Sequence, residues 1–343
     1  MASHHATPLK FLAPGWFSVV MGLSGLTLAW ERAVPYAGDS AQTVAWALGM
    51  GAAVVMALLF AFSLLRRLRH PQAFMEDLHH PVRHVFVAAF PVSLILLATV
   101  AFALSGDSAL ARVTWLFGSV SQILVTVWVL SRWLNTGDAG KPAISFWTGI
   151  TPALLIAVVG NVVVPLAGVR LGFPEWAAAQ FGVGLFFWIV VLTLIFVRLG
   201  QHGMWPERLL PATFITVAPP SVIGLAVLQL GAPVLVSWMA WGIAVFFLLW
   251  SASMLKRLRS TSFSVTFWAL SFPLASLTAL TLRLSENAAL WFGVLAMLML
   301  CLTSLLVTML VFGTLRGLLN GTLLLPEPGP ASAPATPVSG AVA

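Results

Sequence analysis

Charge is scarce in this sequence. Asp, Glu, Lys and Arg make up 8% of its 343 residues, while 60% are hydrophobic. A soluble domain carries about 25% charged residues, so this chain has too little polar surface to stay in water. The apolar residues gather in long runs, as in chains whose solvent is lipid. Cysteine is nearly missing as well. Cys301 stands alone inside an apolar run, which excludes an intrachain disulfide and a Cys-based metal cluster. No cleavable signal is visible: the first apolar run begins near Leu12 and no A-x-A site follows it. That run is expected to remain as a first membrane span, and no stretch fits a soluble domain.

Other absences bear on function. No Asp, Glu, Lys or Arg falls deep inside an apolar run. Ionisable groups within the membrane mark proton relays and ion-coupling sites, so their absence argues against a coupled pump. No nucleophile–base pair and no phosphate-binding loop is present, which argues against an enzyme. All seven histidines, His4, His5, His70, His79, His80, His84 and His202, fall on the expected cytoplasmic side. Three of them lie in HHPVRH, 79–84, but a di-iron membrane oxidase needs several such boxes, and Pro81 interrupts this one. The stretch reads as a helix entry at the interface. Neither a metal nor a cofactor is implied. The net charge is +7, yet the basic residues sit at the ends of apolar runs, so it reflects membrane topology and not nucleic-acid binding.

What is present is a set of ten apolar runs. A helix needs about 20 residues to cross the hydrocarbon core. On that measure, spans are expected over roughly 12–30, 41–65, 82–104, 110–134, 144–168, 175–199, 211–230, 233–255, 262–283 and 288–315. With a cytoplasmic N-terminus, 13 of the 17 Lys and Arg lie inside. Only Arg32, Arg112, Arg170 and Arg283 lie outside. This obeys the positive-inside rule and puts both termini in the cytoplasm. The expected layout is a short cytoplasmic N-terminus (1–11), a membrane domain (12–317) and a disordered tail (318–343) rich in Pro, Ala and Ser.

Proline distinguishes alternate spans. Pro91 falls in the third, Pro152 and Pro165 in the fifth, Pro219 and Pro220 in the seventh, and Pro273 in the ninth; Pro14 lies near the start of the first. Even spans have no interior proline and carry bulky runs such as Phe186 to Val191 and Phe246 to Trp250. Odd spans are also richer in small or polar residues, among them Gly22, Gly25, Gly160, Asn161, Ser221 and Ser276. Proline kinks a helix and frees backbone groups, which are tolerated in a membrane where they line a cavity. The pattern predicts an all-α integral membrane fold of ten transmembrane helices in five helical hairpins, with the kinked helices inside around a central pore.

Five segments carry a family resemblance: PGWFSVVMG (Pro14 to Gly22), HHPVRHVFVAAFP (His79 to Pro91), VGNVVVP (Val159 to Pro165), PATFITVAPPSV (Pro211 to Val222) and WALSFPLAS (Trp268 to Ser276). In this order, across about residues 10–317, the chain resembles the tellurite-resistance/dicarboxylate transporter family, which includes the plant guard-cell slow anion channels. The resemblance implies ten helices in five hairpins, a pore lined by the odd helices and a homotrimer. It also implies that Phe272 occludes the pore. On a helical wheel, Phe272 shares a face with Ala269, Ala275, Ser276 and Ala279, while Phe267, Leu270, Leu274 and Leu277 point the other way.

The function expected is a passive channel for small monovalent anions such as chloride and nitrate, in the cell's inner (cytoplasmic) membrane. Phe272 is the candidate gate, and Pro91, Pro152, Pro219 and Pro273 are the candidate pore kinks. Arg83 and Arg283 are the candidate anion-attracting charges at opposite mouths. The alternative is a carrier for C4-dicarboxylates or tellurite-related oxyanions. A third reading is a non-conducting resistance or scaffold protein.

Overall fold

Long apolar stretches with no water to satisfy their backbone must close their hydrogen bonds internally, and the chain does so as helices. The computed structural model describes residues 8–134 and 146–325. In chain order the helices are α1 (Ser18–Arg32), α2 (Val34–Arg69), α3 (Pro71–His79), α4 (Ala89–Ser105), α5 (Ala109–Leu134), α6 (Phe146–Gly149) and α7 (Leu154–Val159). They continue as α8 (Pro165–Gly168), α9 (Pro174–His202), α10 (Ala218–Gln229), α11 (Val234–Ala252), α12 (Leu255–Arg259), α13 (Ser271–Ser285) and α14 (Leu290–Leu319). Eight helical stretches are long and apolar enough to cross a membrane. The first and fifth expected spans differ. The first is the 15-residue α1 behind a short 3₁₀ turn, and the fifth is broken into α6, α7 and α8. The expected tail beyond 325 lies outside the described residues, as do the first seven positions and the start of the fifth span.

Four of the inner segments share one design. A 3₁₀ stretch leads directly into an α-helix: Pro14–Phe17 into α1, Arg83–Ala88 into α4, Glu207–Val217 into α10, and Val265–Leu270 into α13. The prolines explain the change. Pro91, Pro219 and Pro273 each occupy the first turn of the α-helix that follows. There a missing N–H costs little, because first-turn amides have no intrahelical partner. Hydroxyls tie these junctions down. Ser221 Oγ donates to the Val217 carbonyl at 2.7 Å, and Ser93 Oγ to those of Ala89 at 2.6 Å and Phe17 at 3.1 Å.

The fifth segment is broken more completely. Pro152 lies in a turn ahead of α7, a 3₁₀ stretch (Gly160–Val163) follows α7, and Pro165 opens α8. The carbonyls released by these breaks are taken up from neighbouring elements. Gln122 Nε2 and Thr126 Oγ1 donate to the Ala157 carbonyl at 2.9 and 2.7 Å. Trp115 Nε1 reaches that of Val164 at 3.0 Å, Trp205 Nε1 that of Ile150 at 3.1 Å, and Arg198 Nε that of Trp147 at 3.1 Å. A buried backbone group left unpaired is costly, so α5, α9 and the loop after α9 supply what the broken helix cannot.

Burial separates the two sets of helices. The apolar windows of Glu207–Gln229, Val265–Ser285 and Arg83–Ser105 are 100%, 72% and 61% buried, against 22% to 33% for α2, α5, α9, α11 and α14. The inner segments touch one another in a closed circuit: α1 with α4, α4 with α7 and α8, α8 with α10, α10 with α13, and α13 with α1. Each outer helix packs on the inner segment next to it in sequence. α2 is broken near its start by Gly38 (φ 58°), and the stretch from Asp39 to Arg69, at about 1.5 Å per residue, still outreaches the roughly 30 Å hydrocarbon core. Its last turn carries Arg66, Arg67 and Arg69 to the level of the short helix α3.

Candidate functional site

Two cavities lie within the circuit of inner segments. The larger has a volume of about 460 Å³, the smaller about 30 Å³. Every one of the five inner segments contributes to both linings, and α2, α5, α9, α11 and α14 contribute to neither. Two side chains, Phe272 of α13 and Val222 of α10, border both cavities. The Phe272 ring therefore stands between the larger space and the smaller one.

The inner face of the α13 segment runs through both. Ala269 and Phe272 line the larger cavity, and Phe272, Ser276 and Ala279 line the smaller. Phe267, Leu270, Leu274 and Leu277 are in neither lining. Across from the ring stands Gly25 of α1: a Cβ built there would lie 3.0 Å from Phe272 Cδ2 and 3.1 Å from Ala275 Cβ. One turn earlier, a Cβ on Gly22 would run into the Ser271 side chain. The absence of side chains at 22 and 25 is what lets α1 approach α13 so closely, as small residues do in membrane helix pairs.

The linings are mostly apolar, and three of their hydroxyls are engaged. Ser18 Oγ donates to the Gly15 carbonyl at 2.7 Å, Thr99 Oγ1 to that of Ile95 at 2.8 Å, and Ser276 Oγ to that of Pro273 at 2.9 Å. A hydroxyl whose proton is spent on a carbonyl offers an anion only its lone pairs. Charge enters at the ends. Arg83 lines the larger cavity, and Arg32, at the end of α1, lines the smaller one. Arg283 lines neither and pairs with Glu286 one turn on. Of the proline positions, Pro219 and Pro273 reach the lining of the larger cavity; Pro91 and Pro152 do not.

Arg83 belongs to a buried cluster. Its Nη1 lies 2.9 Å from Asp77 Oδ1 of α3, and Arg66 Nη2 of α2 lies 2.7 Å from Asp77 Oδ2. Asp77 and Arg66 are almost wholly buried, at 1% and 4% exposure. Neither pair is aligned as a hydrogen bond, so both are contacts of charge with charge. Arg66 also donates to the carbonyls of Lys10 at 2.9 Å and Ala73 at 3.1 Å. Arg132 Nη1 donates to that of Leu78 at 2.6 Å. Three arginines thus fasten α3 across the ends of the membrane helices. The histidines of HHPVRH serve the backbone: His80 Nδ1 accepts the amides of Val82 and Arg83, both at 3.1 Å, and the His84 ring lies 2.8 Å from the His80 carbonyl.

Sequence reasoning missed Val222, Gly25, Arg32 and Asp77. Val222 is three residues past Pro219, on the same helical face, and Arg32 ends its segment as Arg283 ends its own. Those two signals were readable. Asp77 gave none, because its partners sit 11 residues before it and 6 after it, on different elements.

Residues 12–315 match the model of one protein family, SLAC1, described as voltage-dependent anion channels. The S-type anion channel SLAH2 of Arabidopsis thaliana is 25% identical over 68% of this chain and 45% of its own length. The tellurite resistance protein TehA homolog of Haemophilus influenzae is 24% identical over 78% of this chain and 79% of its own length. The sulfite efflux pump SSU1 of Trichophyton rubrum is 21% identical over 80% and 82%. The chain spans less than half the length of the plant channel.

Proposed function

This chain belongs to the SLAC1 family of voltage-dependent anion channels, and from that premise we propose that it is a passive channel for small monovalent anions, chloride and nitrate among them, closed at rest by the ring of Phe272. The observation that carries this reading is the place of Phe272 between two cavities lined only by the inner segments and the loops and chain ends at the larger mouth. An apolar ring in a narrow passage excludes water and raises the barrier to a hydrated ion. The mostly apolar linings and sparse charge suit weak, multi-site binding, which a conduit needs and a tight carrier site does not. Ten crossings in five hairpins, with both termini cytoplasmic, form the membrane domain, and three copies assemble with one pore each. Arg83 and Arg32 draw anions to the two mouths.

The carrier reading draws support from two relatives, one whose name records tellurite resistance and one named a sulfite efflux pump. A carrier for a doubly charged C4-dicarboxylate or tellurite-related oxyanion calls for paired, well-aligned cations at depth, and neither cavity lining offers such a pair. Recording from the purified chain in planar bilayers separates the two. Non-saturating chloride and nitrate current is expected. Saturable malate or tellurite uptake without such current would overturn the channel reading.

A further inference from the structure

We infer that Asp77 sets the valence of the anions admitted at the Arg83 mouth of the larger cavity. The inference rests on the anion-channel reading and adds to it a residue that touches no cavity. Arg83 is half-buried and lines the larger cavity, and its Nε is buried with no hydrogen-bond acceptor among the described residues. It is therefore a cation with an unspent donor at the entrance of an apolar space. Behind it stand Asp77 and then Arg66, each within 3 Å of the next by the distances above. Two guanidiniums and one carboxylate leave this cluster a net charge of one; Arg132, held on the Leu78 carbonyl, adds a constant background that none of the variants below changes.

That single charge discriminates. Attraction between an anion and a fixed charge grows in proportion to the anion's charge. The cost of stripping water from an ion grows with the square of its charge and is large on entering a medium of low dielectric. A divalent anion at a site of charge +1 thus gains twofold in attraction while losing fourfold in hydration. Raising the site to +2 doubles the attraction for both anions, and the gain in energy is twice as large for the divalent one. Asp77 is buried where solvent screens little, so its carboxylate subtracts from the field that an entering anion meets. Direct contact with the anion is not required.

Asp77→Asn removes one negative charge and keeps the side chain's shape. In bilayers, reversal potentials with sulfate on one side and chloride on the other should show the sulfate-to-chloride permeability ratio rising about tenfold or more. Asp77→Asn combined with Arg66→Met restores a net charge of one, and its ratio should return to within about twofold of the native value. A packing role for Asp77 would leave the double variant as disturbed as the single. Arg83→Gln keeps the buried Arg66–Asp77 pair and lowers the net charge to zero, so its ratio should fall; this variant carries the test if Asp77→Asn does not fold. A folded Asp77→Asn with the native ratio overturns the inference, as does a double variant that behaves like the single, or a folded Arg83→Gln with an unchanged ratio. If the native chain passes no anion current, the channel reading fails by itself. The valence rule is then read from thermal unfolding: sulfate at equal ionic strength should protect Asp77→Asn more than it protects the native chain, and equal protection overturns the rule.

Discussion

Gly25 leaves the space in which the ring of Phe272 lies: the nearest approach of a Cβ at 25 to that ring is 3.0 Å, closer than side-chain carbons settle without displacement. The contact joins α1 to α13, two neighbours in the circuit of inner segments. It covers one side of a ring that is buried in the core and borders both cavities. On the channel reading proposed above, this is the ring that closes the passage.

The first prediction concerns Phe272→Ala. Truncating a phenylalanine in a packed core costs about 3–5 kcal/mol. Phe272 borders two cavities and lacks packed neighbours toward each, so its loss should cost less than about 3 kcal/mol. Anion current should rise many-fold in the same purified variant. Current and thermal unfolding measured together decide the matter. A destabilised variant with native current would mean that the ring only packs.

A second prediction follows from the contact itself. Gly25→Val places methyl groups where the ring and Ala275 already lie, so it should destabilise the chain by about 1–3 kcal/mol through overpacking. Phe272→Ala removes the main obstacle. The double variant should therefore be less destabilised than the sum of the singles, by a coupling within the usual range of about 0.5–3 kcal/mol for touching residues. Additive losses would place the ring away from residue 25.

Several of these relationships were open to sequence reading and several were not. Alternation of proline-bearing and bulky spans pointed to inner and outer helices because lipid selects bulky apolar faces and tight crossings select small residues. The wheel of span 9 placed Ala269, Phe272, Ala275, Ser276 and Ala279 on one face because that follows from spacing alone; Ala275 lines neither cavity and lies instead against Gly25. Hydropathy does not separate a 3₁₀ stretch from an α-helix, so Glu207–Val217 and Val265–Leu270 are not distinguished from the kinked helices they lead into. The breaks in the fifth span depend on donors from α5, α9 and the loop after α9, which sequence spacing does not reveal. The same holds for Asp77, whose meaning lies in Arg66 and Arg83 meeting around it.

Orientation is testable because the Arg83 mouth also collects the chain after α14: Thr322, Leu323 and Leu325 line the larger cavity with Arg83. The positive-inside rule assigns this end to the cytoplasm. Reporter fusions at the C-terminus should report a cytoplasmic location, and fusions after Arg170, between α8 and α9, an external one. A C-terminus on the outside would overturn the ten-crossing arrangement.

Assembly is the fourth expectation. α14 presents Leu290, Trp291, Leu298, Leu302 and Leu305 outward, and α5 presents Leu110, Val113, Phe117 and Leu124. Lipid covers such faces as well as protein does, so their packing, more than their hydrophobicity, drives association. Native mass spectrometry in mild detergent should show trimers. Monomers alone, in a detergent that keeps the chain folded, would count against them.

The last prediction concerns the broken fifth segment. Asn161 is fully buried and uses its whole amide. Its Nδ2 donates to Thr126 Oγ1 and to the Val158 carbonyl, both at 2.8 Å, and its Oδ1 accepts Gln180 Nε2 at 2.8 Å. One side chain thus ties α7 to α5 and α9 where the backbone leaves α-helical geometry. Asn161→Leu has similar bulk and no polar atoms. It would leave the Gln180 amide and the Val158 carbonyl short of partners, at about 1–3 kcal/mol for each group so exposed to an apolar interior. The loss should be local, because α13 and its contact with α1 do not depend on this amide. Hydrogen–deuterium exchange in detergent should rise in peptides covering Leu154–Gly168 and stay near native in those covering Ser271–Ser285. A uniform rise would mean that Asn161 stabilises the whole bundle. No rise at all would mean that Gln122 and Thr126, through the Ala157 carbonyl, hold the break without it.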